Sequence, residues 1–565
     1  MRGATYLGHG RTSVEVWAPA QQHLTLHLLA RDGAHEITLE RDADGVFRAE
    51  IEASPGDRYC YRVDGLCVPD PVSRLLPEGV HKVTEIVDPD FDWSDTEWKG
   101  IPFRDYVIYE LHVGAFTAEG TFDAIIGKLP YLRSLGVTAI ELMPVAAFPG
   151  RWNWGYDGVS PYSVFSEYGG PQGLKRLVDA AHRAGLAIVL DVVYNHLGPE
   201  GNYLSKFGPY FSEKHHTPWG AGINFDDREC REVRRYFIEN ALYWCREYHI
   251  DGLRLDAVQQ IKDDTKPHIV AEIAREVKRF AREQGREIAV IAETDENKAE
   301  HVRGVEDGGW GLDAVWSDDF HHSLYRLLTG ESRGYYADFG EMRHLERALR
   351  EGFVYQGEYF SFWKKARGTK PEGVPLSGHV ICIENHDQVG NRALGDRLTE
   401  LTDESNRMLA AALVCLAPHT PMIFMGQEHD ERNRFMFFTD FTDPQLAKAV
   451  REGRRAEFPD FDAEEVPDPQ SEETFRRSKL NWHLTRDQER MLRWYTWLLA
   501  LRKAFIAKGS RRIRVTRDGS RVTLEVGDAP NIIRLAFGIV GAHDDTGAKI
   551  LRYDLQAPWE APVAS

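Results

Sequence analysis

The sequence predicts an α/β protein: a (β/α)8 TIM barrel with an N-terminal β-sandwich and a small C-terminal β domain. Three observations lead there. The first ninety or so residues alternate apolar and polar positions in short runs. From about residue 105, apolar strand-like runs alternate with helical segments until eight such runs have passed. Strand-like runs with turn residues then close the chain. Residues 1–90, 91–507 and 508–565 are the expected domains, and two or three cores suit a chain of 565 residues.

Each element follows from its pattern. "SVEVWAPA", "HLTLHLLA", "HEITLE", "VFRAEIEA" and "RYCYRVDG" are short strands parted by Gly, Asp and Pro, as in a small sandwich. "VPDPVSRLLPEG" (68–79) reads as an extended linker whose Val68, Leu75 and Leu76 pack on the next domain. The eight barrel strands are expected at 106–113, 137–145, 186–196, 250–258, 287–294, 312–320, 379–387 and 420–426. Helical segments such as "GLKRLVDAAHRAG" and "ECREVRRYFIENALYWCREY" lie between them. Repeated βα units call for a parallel sheet covered on both faces, and eight of them fit a closed barrel better than an open sheet. Insertions are expected at 197–230 and 427–485, and "QERMLRWYTWLLALRKAF" reads as the closing helix.

Composition narrows the function. Hydrophobic residues are 42% and charged ones 28%, a soluble globular balance. A net charge of −19 without a long basic stretch argues against nucleic acid or an anionic membrane as partner. No apolar run reaches the length of a membrane span, and "MRGATYLGHGRTSVEV" has no secretory apolar core, so a cytoplasmic location is expected. The six cysteines show no metal-ligand spacing and are expected as free thiols. Aromatic residues are 11%, with fourteen tryptophans; some are simply core, but they also suit a sugar-binding cleft, where a ring face covers the apolar face of a pyranose.

The chemistry sits where strands end. "CIENHDQVGN" (382–391) finishes an apolar run with two acids, an amide and an imidazole. Strand alternation would put Asn385 and Asp387 on one face, Glu384 and His386 on the other. Barrel enzymes gather catalytic groups at the C-terminal strand ends. There the third run offers Asp191, Asn195 and His196, the fourth Arg254 and Asp256, the fifth Glu293, and the seventh His386 and Asp387. Taken singly, Asp191 could cap a loop, Arg254 could be an ion-pair partner and His196 a satisfied core histidine. Their convergence on one rim is what indicates a site.

A retaining glycosidase needs two carboxyl groups about 5–5.5 Å apart, one an ionised nucleophile and one a protonated acid. Arg254 beside Asp256 favours the charged carboxylate, which makes Asp256 the nucleophile. Glu293 ends the apolar run 288–292, where burial would hold its proton, as an acid/base needs. Asp387 is then a third acid that bonds sugar hydroxyls and stabilises an oxocarbenium-like transition state. His196 and His386 are hydroxyl donors, and Glu384 is a supporting residue facing away.

"DVVYNH", "GLRLDAV", "IAET" and "NHD" resemble, in order and on matching strands, the four motifs of the α-amylase family of glycoside hydrolases. "WNWGYDGVSPYS" resembles the family's second-strand loop, which implies that Tyr156 stacks on the sugar at the cleaved position. "NHDQVGNRALGDRL", "VPDPVSRLLPEGVHKVTEIVDP", "WGAGINFDD" and "FMFFTDF" resemble that family's maltooligosyltrehalose trehalohydrolase branch. This resemblance implies hydrolysis of the α-1,4 bond next to the terminal trehalose of maltooligosyltrehalose or a related α-glucan. Gln388, with Asn391 and Arg392, would either shape the trehalose subsites or form a loop network. The mechanism needs no cofactor and no metal; some relatives hold calcium near the position of Asn195, but no carboxylate cluster here demands it. A glucan-branching transglycosylase would use the same triad. A non-catalytic glucan-binding scaffold would typically have lost an acid, whereas all three are present. "GQEHDERNRF" (426–435) departs from the family in being unusually charged after the eighth strand.

Overall fold

The computed structural model describes residues 2–461, 465–506, 512–527, 532–542 and 548–558. Two antiparallel sheets form the N-terminal sandwich. One contains Gly3–Gly8, Arg11–Trp17, Val46–Glu52 and Glu40–Arg41; the other contains Gly33–Thr38, Thr25–Ala30, Arg58–Val63 and Leu66–Val68, with Thr84–Glu85 beside them. Alternation decides burial: Val14 and Val16, and Leu26 and Leu28, point into the core, and Tyr59 and Tyr61 join them. The 68–79 segment is fastened to the barrel, since Tyr236 donates to the Pro71 carbonyl at 2.7 Å and Val164 N–H to the Arg74 carbonyl at 3.1 Å.

One expectation is corrected here. Cys60 and Cys67 form a disulfide, with Cα atoms 5.5 Å apart, and four cysteines remain free among the described residues. The hairpin turn at Asp64-Gly65 pairs Arg62 with Cys67 and so brings Cys60 diagonally alongside. Sequence spacing alone does not reveal a register of that kind.

Eight parallel strands close the barrel: β1 (Ile108–Leu111), β2 (Ala139–Leu142), β3 (Ala187–Val192), β4 (Gly252–Leu255), β5 (Ala289–Ala292), β6 (Ala314–Trp316), β7 (His379–Ile381) and β8 (Thr420–Phe424), with β8 pairing back to β1. Period-2 geometry stacks their inward faces in layers. Ile108, Ala139, Val189 and Ile291 belong to one apolar cluster. Two residues further along their strands come Glu110, Glu141, Asp191 and Glu293, so the next layer is charged. A four-stranded antiparallel sheet (Ile513–Asp518, Arg521–Val526, Ile533–Ala542, Lys549–Gln556) ends the chain; the expected boundary at 507/508 lies outside the described residues. Among the described residues no helix is long and apolar enough to cross a membrane.

Excursions leave the barrel rim after several strands. The stretch after β3 carries a hairpin, Phe211–Thr217 with Gly220–Ile223. Between β6 and β7 lie the helix Met342–Glu351 and a small hairpin, Tyr359–Phe360 with Lys365–Ala366; this excursion was not expected from the sequence, because its apolar residues are scattered. After β8 the charged segment turns inward. Glu428 Oε1 accepts from Tyr109 (3.0 Å), from Tyr131 (2.7 Å) and from His429 Nδ1 (3.1 Å). Glu431 accepts the N–H groups of Asn433 (2.8 Å) and Asn481 (2.7 Å). The unusual charge of this segment is thus spent on anchoring the loop.

Burial opposes the charge on His429, yet Glu428 and Glu431 carry it up to about 9. A raised histidine contributes stability that is complete below its ordinary value of 6.5 and is lost as pH rises through about 9. Stability of the wild type to denaturant should therefore fall between about pH 7 and about pH 9.5, and His429→Gln should remove that component of the pH dependence.

Candidate active site

Asp191 on β3 lies opposite Arg254 on β4 in the parallel register. Arg254 is fully buried, and its Nη1 donates to Asp191 Oδ2 at 2.8 Å and to Asp256 Oδ1 at 2.7 Å. Nη2 stands 3.8 Å from Glu293 Oε2. The Trp316 ring lies 4.3 Å from the guanidinium carbon, a face that suits a cation in a dry site. Asn195 donates to the second oxygen of Asp256 at 2.7 Å. Both oxygens of Asp256 are therefore held.

Ala257 follows in a left-handed conformation, φ 39°, which is costly for a residue with a Cβ. That turn aims its N–H at Glu293 Oε2, 2.7 Å away. Burial pushes the Glu293 carboxyl well up, and the neighbouring Asp256, Asp318 and Asp387 add to this against Arg254. With Oε2 accepting, the other oxygen is left to carry the proton.

At the end of β7 the expected alternation fails. The strand stops at Ile381, and Asn385 caps a short helix, His386–Gly390, by accepting from Gln388 N–H at 2.7 Å. The helical turn puts His386 and Asp387 together, with Nε2 3.5 Å from Oδ2, whereas Glu384 turns away and accepts from the Leu398 N–H. Tyr156 links the halves of the site. Its hydroxyl donates to Asp191 Oδ2 at 2.7 Å and meets His386 Nε2 at 2.7 Å, and its ring stacks on that imidazole at 5.1 Å. Asp387, its side chain 43% exposed, faces the cleft, where Asn391 donates to it at 3.1 Å.

His196 bonds Asn195 Oδ1 through Nδ1 and stacks at 4.8 Å on Trp219, at the turn of the post-β3 hairpin and 51% exposed. Gln388 accepts from Tyr336 at 3.2 Å and lines a pocket of about 180 Å³ with Asp318, Tyr335, Phe362, Arg367 and Asp387. Burial pushes Asp318 there up to about 7. All eight sequence-predicted residues (Tyr156, His196, Arg254, Asp256, Glu293, His386, Asp387, Gln388) thus lie at the C-terminal end of the barrel. Among the described residues the one group spaced for a metal ion is His215, Asp226 and Asp264, on the excursions after β3 and β4. Asn195, by contrast, is spent on Asp256.

A family model for the alpha amylase catalytic domain matches residues 88–219 and 224–504, and one for carbohydrate-binding module 48, the isoamylase N-terminal domain, matches residues 2–75. A malto-oligosyltrehalose trehalohydrolase from Saccharolobus solfataricus is 47% identical over 90% of this chain and 88% of its own length. The chain belongs to the malto-oligosyltrehalose trehalohydrolase group of the α-amylase family. Another trehalohydrolase, from Arthrobacter ramosus, is 42% identical over 97% of the chain and 98% of its own length. A 1,4-alpha-glucan branching enzyme from Corynebacterium jeikeium reaches only 29% over 56% of the chain and 50% of its own length. Among solved structures, a candidate alpha amylase from Salmonella typhimurium superposes with a TM-score of 0.89 at 40% identity, covering 98% of this chain and 99% of that one.

For this α-amylase-family barrel, sequence reasoning placed Asp191 on the rim, with a loop cap as the alternative, but gave it no role in the site, and missed Glu110, Asp318, Arg367 and Trp219 as parts of the site. Asp191 and Glu110 carried a signal: each is an acid on the inward period of an otherwise apolar strand. Asp318 carried the same signal, two residues past Trp316 at the end of β6, whereas Arg367 and Trp219 sit on excursions whose path no local pattern indicates.

Removing the cation should be severe. Arg254→Met leaves Asp191 and Asp256 buried without their shared donor, so turnover should fall roughly a thousandfold and unfolding free energy by about 3–5 kcal/mol. Steady-state kinetics beside denaturant titration checks both, and wild-type-like turnover would contradict the electrostatic reading.

Proposed function

We propose that the protein is a retaining glycoside hydrolase that cleaves the α-1,4-glucosidic bond next to the terminal trehalose of maltooligosyltrehalose, releasing trehalose and a maltooligosaccharide. One observation carries the reading: in a chain that matches trehalohydrolases over about nine-tenths of its length, two acids of the family's motifs, Asp256 and Glu293, stand at a buried arginine, and the third, Asp387, lines the adjoining pocket. The Asp256 carboxylate attacks the anomeric carbon while the bond to the trehalosyl oxygen breaks and Glu293 gives that oxygen its proton. Glu293 then takes a proton from water, whose oxygen displaces Asp256 from the anomeric carbon. The balance is one water added across one glycosidic bond.

Asp387 accepts from the sugar hydroxyls as positive charge develops on the ring, and His196 and His386 donate to hydroxyls of the same sugar, His386 by sharing with it the Nε2 proton that also reaches Tyr156. Tyr156 offers its ring face, and Gln388 lies on the side of the pocket that would receive trehalose. Each step uses these side chains alone. The reading places the enzyme in trehalose biosynthesis and in the cytoplasm. The net charge of −19 supports a glucan partner over nucleic acid or membrane.

The test is product analysis after separate incubation with maltopentaose and maltotriosyltrehalose. Trehalose plus maltotriose from the second, with little action on the first, is the expected result. New α-1,6 branch points on amylose with no trehalose would instead make the protein a branching enzyme. Asp256→Asn should abolish hydrolysis while leaving the folded state intact by circular dichroism; substantial residual turnover sinks the nucleophile assignment. Glu293→Gln should slow natural glucans far more than aryl glycosides with good leaving groups, since only the former need the proton. Equal losses on both would remove Glu293 from the acid's role.

A further inference from the structure

The hydrolytic roles above leave one buried acid pair unused. Glu110 on β1 and Glu141 on β2 are register partners in the charged layer beneath the site, and neither reaches the cleft. Burying a carboxylate costs several kcal/mol unless it is paired, so a Glu at this place in the strand calls for a partner. Glu110 has one. Its Oε2 accepts the backbone N–H of His386 at 3.0 Å, and its Oε1 meets His386 Nδ1.

We propose that Glu110 is a positioning residue that holds His386 with a proton on each ring nitrogen, and through it orients Tyr156 and the Asp191–Arg254–Asp256 array. The assignment follows from donor and acceptor counting. A carboxylate only accepts, so Nδ1 must donate to Glu110. Tyr156 has one hydroxyl proton, and it goes to Asp191 at 2.7 Å, because Asp191 Oδ2 already receives Arg254. The Tyr156 oxygen is then an acceptor, and His386 Nε2, 2.7 Å away, must donate as well. The result is one directed chain, His386 to Tyr156 to Asp191, joined to Asp256 by Arg254.

The surroundings agree. Glu141, whose two carboxyl oxygens have no hydrogen-bond partner among the described residues, is pushed well up by burial and by Glu110, so it is neutral and does not compete for the ring. His112, one residue past the strand that bears Glu110, is lowered to about 4 by burial and is neutral too. Asp191 is raised by burial only to about 6. Burial works against a charged His386, but Asp387 and Glu110 raise it to about 9, with Arg254 opposing. The inference rests on the hydrolase reading for its assay, but not on which α-glucan is cleaved.

The test is Glu110→Gln. The amide keeps the bond to the His386 N–H, but its NH2 group faces Nδ1 and makes that nitrogen an acceptor, leaving the ring neutral. The alkaline limb of kcat/KM on maltotriosyltrehalose should move down by about one pH unit or more, and activity above that limb should fall about tenfold or more, while the acid limb stays. In a double-mutant cycle, adding Glu110→Gln to His386→Gln should cost nothing further. A pH profile parallel to the wild type, or losses that add, would overturn the proposal. Should Glu110→Gln fail to fold, Glu110→Asp keeps the charge and should keep the limb in place; a shifted limb would refute the role. If the wild type releases no trehalose, the functional reading fails by itself, and the cycle is run on whichever glucan the wild type does cleave.

Discussion

The buried guanidinium of Arg254 stands among three carboxyl groups, and the active end of the barrel is arranged around it. A charge taken out of water is tolerated only when its partners are close and well aimed. Asp191 and Asp256 share one nitrogen of the guanidinium, at 2.8 and 2.7 Å, while Glu293 is held off at 3.8 Å. One cation cannot neutralise three buried acids, so geometry decides which keeps its proton. Glu293, more distant from the cation and surrounded by other carboxylates, is pushed well up. A nucleophile and an acid can thus be drawn from one functional group, the carboxyl, by distance to a single arginine.

The barrel makes this arrangement possible through strand period and register. Side chains two apart along parallel strands form successive layers, so an apolar plug holding Ile108, Val189 and Ile291 supports a charged tier built from the next inward positions. The register of β3 with β4 puts Asp191 beside Arg254 without help from any loop, and that of β4 with β5 sets Arg254 beside Ile291, two residues short of Glu293. The residues that would grip sugar come instead from excursions, among them Tyr156 after β2, Trp219 after β3 and Gln388 after β7. Rigid strands carry the charges, whose spacing must be fixed, and loops carry the contacts that distinguish substrates.

Much of this was legible in the chain. Eight apolar runs with helical segments between them specify the closed sheet, and acids at the strand ends mark the rim. What escaped depends on contacts distant in sequence. Glu110 and His386 are 276 positions apart, so nothing near Glu110 shows that its carboxylate has an imidazole to meet. Alternation misled at 384–387, because it holds only while the strand lasts, and the Asn385 cap converts the backbone to a helix. The Cys60–Cys67 bond depends on hairpin register, and the charges of 426–435 look exposed until Tyr109 and Tyr131 are seen to cover them. Side-chain type was readable in each case; the partner was not.

The step from Asp256 to Ala257 joins these themes. The strand delivers the Asp256 carboxylate to Arg254, and the chain then enters a left-handed conformation that a residue with a Cβ adopts only at a cost of order 1–3 kcal/mol. In return, the Ala257 N–H points at Glu293 Oε2. Val258 N–H reaches the Glu293 carbonyl at 3.0 Å, and Glu293 N–H reaches the Leu255 carbonyl at 3.0 Å, so three hydrogen bonds tie this turn to the end of β5. The two carboxyl groups are therefore held by one continuous piece of backbone and cannot drift independently. A retaining mechanism needs its nucleophile and acid at a fixed separation through two successive steps. A strained residue between β4 and the rim is a means of enforcing that separation, and relaxing the turn would release both groups at once.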